Sequence, residues 1–138
     1  MSIDKNTTLY LSGPMTGYRD FNVASFNSAE ETLTEHGFAI VNPVKLPLPT
    51  FPNPLTDKME WAAYLVRDLV FLTRNRPDFV ILLPGWDTSY GSCLEAEYAH
   101  TALGIPVETL GAFLSRYTNE KKPYGFPWPK KEAPTDEP

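Results

Sequence analysis

Phe79-Val-Ile-Leu-Leu83, running into Pro84-Gly-Trp-Asp-Thr-Ser-Tyr-Gly-Ser-Cys-Leu-Glu95, is the stretch on which the fold turns. An unbroken apolar run with no polar alternation describes a strand buried on both faces, as the central strand of a parallel sheet is. Pro84 to Tyr90 is rich in turn formers and ends that strand. Ser92 to Leu103 then reads as a helix stopped by Gly104.

Toward the N-terminus, Thr8 to Ser12 is a short buried strand, broken by Gly13, Pro14 and Gly17. Val23, Phe26, Ala29 and Leu33 recur at helical spacing between Asn22 and His36, and Gly37 stops that helix. Phe38 to Val41 is a second strand, leading into Asn42-Pro43. Pro43, Pro47, Pro49, Pro52 and Pro54 fill a loop that regular structure cannot accommodate, of a length often found in lids and binding loops. Asp57 and Glu60 suggest a capping box for a helix reaching about Asn75, with Met59, Ala62, Val66, Leu69 and Val70 on its inner side. Beyond the central strand and its helix, Ile105 to Glu108 reads as a fourth strand and Leu110 to Tyr117 as a short helix. Residues 119–138 form a Pro-rich tail.

Strands alternating with helices imply βαβ crossovers. The reading is α/β: a single Rossmann-like domain over residues 1–118, with a parallel sheet of about four to five strands flanked by helices. Ligands of such sheets bind outside the strand carboxyl ends. Three loops leave those ends: Gly13–Gly17, Asn42 onward, and Pro84–Gly91.

The 138 residues suit one domain, and 42% hydrophobic with 21% charged residues describes a folded chain. A net charge of -5 argues against a nucleic-acid polymer as partner, since such binders carry a basic face. Cys93 stands alone, which excludes an intrachain disulfide and fits a reducing compartment. Met1 to Thr8 lacks the apolar core of a signal peptide, and no apolar run has membrane-spanning length, so a cytoplasmic location is expected. His36 and His100 have no second ligand at metal spacing, so no metal and no other cofactor is expected.

Three constellations carry chemistry. In Tyr10-Leu-Ser-Gly-Pro-Met-Thr-Gly17, Ser12 and two glycines can bring backbone N–H groups to a phosphate, although the Gly-Lys-Ser/Thr of a Walker loop is absent and on local sequence alone an ordinary tight turn is the favoured reading, glycine turns being common. In Trp86 to Glu97, Ser89, Gly91 and Ser92 open a helix whose N-terminus attracts anions. Glu95 lies in its first turns, and Glu97 points elsewhere because residues two apart do not share a helix face. In Arg67-Asp68-Leu69, Asp68 adjoins the apolar run Leu69 to Leu72, which favours a neutral carboxyl. The competing reading is a solvated acid paired with Arg67 or Arg74. Trp86, after Gly85 at a strand end, is a candidate to stack on a ring.

Taken in order, Tyr10-Leu-Ser-Gly-Pro-Met-Thr-Gly17, Asn22 with Phe26, Val41-Asn-Pro43, Arg67-Asp-Leu69 and Leu83-Pro-Gly-Trp86 through Glu95 resemble the nucleoside 2-deoxyribosyltransferase superfamily over Leu9 to Val107. That group includes the 2'-deoxynucleoside 5'-phosphate N-hydrolases, and the resemblance is closer still to an uncharacterised phage and prophage branch. The resemblance implies that Glu95 is the nucleophile, that the Tyr10 hydroxyl holds it, and that Asp68 serves the departing base. Ser89, six residues before Glu95, stands where the enzymes acting on free nucleosides carry an acid and the nucleotide hydrolases a serine. Thr16 departs from the pattern, since the nucleotide hydrolases often have a basic residue there.

The implied function is cleavage of the N-glycosidic bond of a (deoxy)nucleoside 5'-monophosphate through a glycosyl-enzyme on Glu95. Ser12, Gly13, Pro14, Met15, Thr16, Gly17, Asn42, Trp86, Ser89 and Gly91 are the expected substrate contacts. Glu95 is expected to be ionised and Asp68 protonated. A deoxyribosyltransferase exchanging bases and a nucleotide-binding module without turnover are the alternatives. The expected partners are a small nucleotide or nucleoside and a second copy of the chain in a homodimer or higher homo-oligomer, with no membrane. The base and the sugar's 2' substituent stay open.

Overall fold

A computed structural model describes residues 6–15, 22–47 and 50–118. Its strands are β1 (Thr8–Ser12), β2 (Ala39–Val41), β3 (Phe79–Leu82) and β4 (Val107–Thr109), and its helices α1 (Val23–Glu35), α2 (Asp57–Asn75), α3 (Tyr90–Glu97) and α4 (Leu110–Thr118). The four strands form one sheet in the order β2-β1-β3-β4, and every pairing is parallel. This is the expected α/β Rossmann-like domain.

Alternation along the strands sends side chains to two cores. Leu9, Leu11, Phe79 and Ile81 pack under α1 and α4 with Phe26, Leu33 and Phe113. Tyr10, Val80, Leu82 and Val107 pack under α2 and α3 with Leu72, Trp86, Ala96 and Ala99. The chain after β1 crosses to β2 on one side, and the chain after β2 crosses back past β1 to β3. The sheet therefore reverses its winding between β1 and β3, where α/β folds place ligands.

Two expectations for α2 are corrected. Its cap is Thr56, whose hydroxyl accepts from the Met59 N–H at 3.2 Å, so Asp57 is the first helical residue and not the cap. The stripe expected to face inward also faces out: Met59 is 52%, Val66 58% and Val70 42% exposed, and Ala62 is exposed too. Asp68 and Leu72 are the buried residues. Helical periodicity locates an apolar stripe, but α2 has two. The one carrying Phe71 and Leu72 is selected because it packs on Tyr10, with the Phe71 ring 6.0 Å from it.

α4 is held to the sheet by Arg116, which donates through Nε to both carboxylate oxygens of buried Glu108, at 3.2 and 3.0 Å, and lies over the Phe79 ring at 5.4 Å. The expected Pro-rich tail lies outside the described residues. No helix among the described residues is long and apolar enough to cross a membrane.

Candidate active site

β1 ends beside β3, and its last residues alternate so that Tyr10 and Ser12 share the face turned to α2 and α3. α2 brings Asp68 to that face and α3 brings Glu95. All four are buried: Tyr10 is 0%, Ser12 1%, Asp68 4% and Glu95 7% exposed. Sequence reading placed Glu95 and Asp68 in one site, and the fold brings them together.

The partners differ from expectation. Ser12 Oγ, not the Tyr10 hydroxyl, donates to Glu95 Oε1, at 2.7 Å. Ser12 Oγ also meets Ser92 Oγ at 2.8 Å, joining the end of β1 to the first turn of α3. The Tyr10 hydroxyl is fully buried and, among the described residues, has no hydrogen-bond partner. Burial pushes its pKa well above the usual phenol value, and the charges of Glu95 and Asp68 push the same way. Tyr10 is therefore a neutral phenol beside two acids, without a well-formed hydrogen bond but near enough to Asp68 to favour that carboxylate.

Asp68 is neither solvated nor purely apolar in its surroundings. Arg67 donates to its Oδ1 through Nε at 2.9 Å and Nη2 at 2.7 Å. Burial pushes Glu95 well above the ordinary carboxylate range, and the neighbouring Asp68 adds to the push. Burial also raises Asp68, while its hydrogen bond with Glu95 and the Arg67 guanidinium pull it down. Two carboxyls this close and this buried cannot both ionise, so they share one proton. Of the two, Glu95 is pushed up the more strongly, because the bond with Glu95 and the Arg67 guanidinium hold Asp68 back, a direction opposite to the expected one of an ionised Glu95 and a protonated Asp68.

The expected substrate contacts divide. Ser89 is the N-cap of α3, its Oγ accepting from the Ser92 N–H at 3.2 Å. Gly13 is required by packing, because a Cβ there would stand 2.9 Å from Leu83 Cβ. Pro14 is buried and its carbonyl accepts from Asn22 Nδ2 at 2.9 Å, while Met15 packs on the α1 core. Gly91 faces the Trp61 ring, which a Cβ would meet at 3.8 Å. Asn42 turns away from the carboxyls: its Nδ2 donates to Asn27 Oδ1 at 3.0 Å and Glu30 Oε1 at 2.9 Å, and its Oδ1 caps the turn at Val44. Trp86 is 8% exposed and packs in the α2–α3 core, so its ring serves as core and not as an open stacking wall. Thr16 and Gly17 lie outside the described residues.

The sequence reading offered Arg67 or Arg74 as an ion-pair partner of a solvated Asp68; the pair forms with Arg67, and both side chains are buried. Ser12 offered a signal for its bond to Glu95, in its position two residues after Tyr10 on a strand. Among the described residues no group of three or more His, Cys, Asp or Glu side chains could hold a metal ion. The arrangement is two buried carboxyls beside a buried neutral phenol.

The family model of a domain of unknown function, DUF4406, matches residues 7–109. The chain belongs to the DUF4406 family. DUF4406 is related in general to nucleoside deoxyribosyltransferase-like proteins, and its match to this chain spans β1 to β4, with Tyr10, Ser12, Asp68 and Glu95 all inside it. No curated protein and no solved structure matches this DUF4406 chain.

Proposed function

We propose that this DUF4406 domain cleaves the N-glycosidic bond of a nucleoside 5'-monophosphate, releasing the base. The observation that carries the reading is the buried cluster of Glu95, Asp68 and Tyr10 at the point where the sheet reverses its winding. Departure of a base from C1' leaves an oxocarbenium-like sugar, which a carboxylate can trap, and the departing nitrogen requires a proton. Glu95 and Asp68 hold between them one negative charge and one proton, which is what that step consumes. The C1'–N bond breaks with its electron pair going to the base, the shared proton follows to the base, and a Glu95 oxygen bonds to C1'. Water then attacks C1', the Glu95–C1' bond breaks, and one proton of the water returns to the pair.

The phosphate is proposed from the loops. The Ser12–Ser92 contact ties the end of β1, where the Gly13 loop begins, to the first turn of α3, whose N-terminus favours an anion. Ser89 beside them is neutral and admits a dianion, where an acid would repel it.

A homodimer completes the reading. Met59, Val66 and Val70 form an exposed stripe opposite the face of α2 that carries Asp68. α2 is acidic in its first turn, at Asp57 and Glu60, and basic in its last, at Arg74. A second copy laid antiparallel on that stripe would match these charges.

Incubation with a panel of nucleoside 5'-monophosphates, with chromatography for free base, tests the activity. Base release from at least one is expected. No release from any, with or without an added acceptor base, would sink the enzymatic reading.

A further inference from the structure

Arg67 is held more firmly than an ion pair needs. Besides its two bonds to Asp68 Oδ1, it donates through Nη1 to the Leu46 carbonyl at 2.9 Å and through Nη2 to the Pro43 carbonyl at 3.0 Å. Its guanidinium carbon lies 5.1 Å from the Tyr64 ring centre. Every guanidinium nitrogen is engaged, and the side chain is 9% exposed. A guanidinium fixed by backbone carbonyls of the segment after β2 cannot swing to follow either carboxyl, so it acts as a stationary charge. Both of its bonds to Asp68 fall on Oδ1, leaving Oδ2 without a contact to Arg67. Among the described residues the other groups acting on the pair are uncharged hydroxyls, Tyr10 favouring the Asp68 anion and Ser12 the Glu95 anion, so Arg67 is the charged group that separates the two acids.

Resting on the N-glycosidase reading, we propose that Arg67 is a positioning residue that decides which carboxyl holds the shared proton: it keeps Asp68 as the carboxylate and leaves the proton on Glu95 until a substrate base draws it off through Asp68. The sequence of events balances. The proton passes from Glu95 to Asp68 and from Asp68 to an acceptor atom of the departing base. Glu95 becomes an anion in the same passage and bonds to C1' as the C1'–N bond breaks. Glu95 is thereby a nucleophile only when a base with a lone-pair acceptor lies against Asp68. A sugar phosphate lacking such a base would leave Glu95 protonated and unreactive.

The test uses the full chain with ¹³C-labelled side-chain carboxyls, followed by NMR through a pH titration in the wild type, Arg67→Gln, Arg67→Lys and Asp68→Asn, alongside the pH profile of kcat/KM. In the wild type the Glu95 signal, identified by its loss in Glu95→Gln, should titrate well above ordinary glutamates. In Arg67→Gln the Asp68 titration should move up by about 1 unit or more, as loss of an adjacent opposite charge does. The acid limb of kcat/KM should move with it, and Arg67→Lys should restore most of the shift. A purely structural Arg67 would lower Tm and kcat/KM while leaving titrations and limb in place, and that result in folded Arg67→Gln overturns the proposal. Should Arg67→Gln fail to fold, Asp68→Asn decides: the Glu95 titration should fall toward the normal range, and an unchanged one overturns the proposal. Titrations that move as expected in a protein releasing no base from any nucleotide would uphold proton placement by Arg67 and refute the N-glycosidase reading.

Discussion

Ser12 Oγ donates to Glu95 Oε1 at 2.7 Å, across a separation of 83 residues, at the meeting of β1 and α3. The carboxyl expected to lean on Tyr10 leans on a serine one strand step further along. Ser12→Ala should cost on the order of 10²-fold in kcat, as for one positioning hydrogen bond, with little change in KM. A variant with wild-type kcat would remove Ser12 from the site.

Tyr10→Phe separates folding from function. The hydroxyl is buried and has no well-formed hydrogen bond, with Asp68 its nearby acceptor, and an unmade bond costs about 1–3 kcal/mol, so its removal should leave Tm unchanged or higher. If that donor is reserved for substrate or for Glu95 after its proton leaves, kcat/KM should fall in the same variant. Thermal melts and steady-state kinetics on one preparation suffice, and a lower Tm would indicate a partner made in the resting protein.

Glu95→Gln should stabilise the protein at neutral pH while abolishing base release. The sign follows from burial, which raises the folded pKa of Glu95 above its unfolded value. A carboxyl raised on folding binds more protons folded than unfolded, so its contribution to stability falls as pH rises from the unfolded value through the folded one. Glutamine removes that penalty and keeps an oxygen for Ser12. The gain in Tm should therefore be largest above neutral pH and shrink toward pH 4. Glu97→Ala, at an exposed position, should alter neither Tm nor activity appreciably.

Ser89→Asp tests the phosphate and keeps a capping side chain, with circular dichroism and a thermal melt to check the fold because Ser89 is buried. Aspartate caps a helix as well as serine does, whereas Ser89→Ala would cost about 0.5–2 kcal/mol as a lost cap. The wild type should prefer a nucleoside monophosphate over the matched nucleoside by on the order of 10²–10⁴-fold in kcat/KM, for two charge-assisted bonds. Ser89→Asp should shrink or reverse that ratio. Equal use of both substrates by the wild type would falsify the phosphate reading and favour a deoxyribosyltransferase.

Val66→Glu places a charge in the middle of the exposed stripe of α2. Light scattering should find a dimer in the wild type and a monomer in this variant, with its far-ultraviolet circular dichroism unchanged. A monomeric wild type at working concentration ends the homo-oligomer proposal.

The order of strands and helices, the parallel sheet and the burial of Phe79 to Leu82 were legible from residue pattern alone, because apolar runs and turn formers act locally. So was the separation of Glu95, buried, from Glu97, exposed, which follows from helical geometry. The tertiary structure decided the rest. It chose which apolar stripe of α2 faces the sheet, since two were available and only packing against Tyr10 and Val80 distinguishes them. It gave Asn42 partners in Asn27 and Glu30, put Trp86 in the core and packed Gly13 against Leu83, all contacts between residues distant in sequence. It set Glu95 and Asp68 together in a buried place, which raises both carboxyls and Glu95 the more strongly. Protonation depends on burial and on the neighbouring charges in space, and Arg67 reaches Asp68 only because carbonyls of Pro43 and Leu46 hold its guanidinium there.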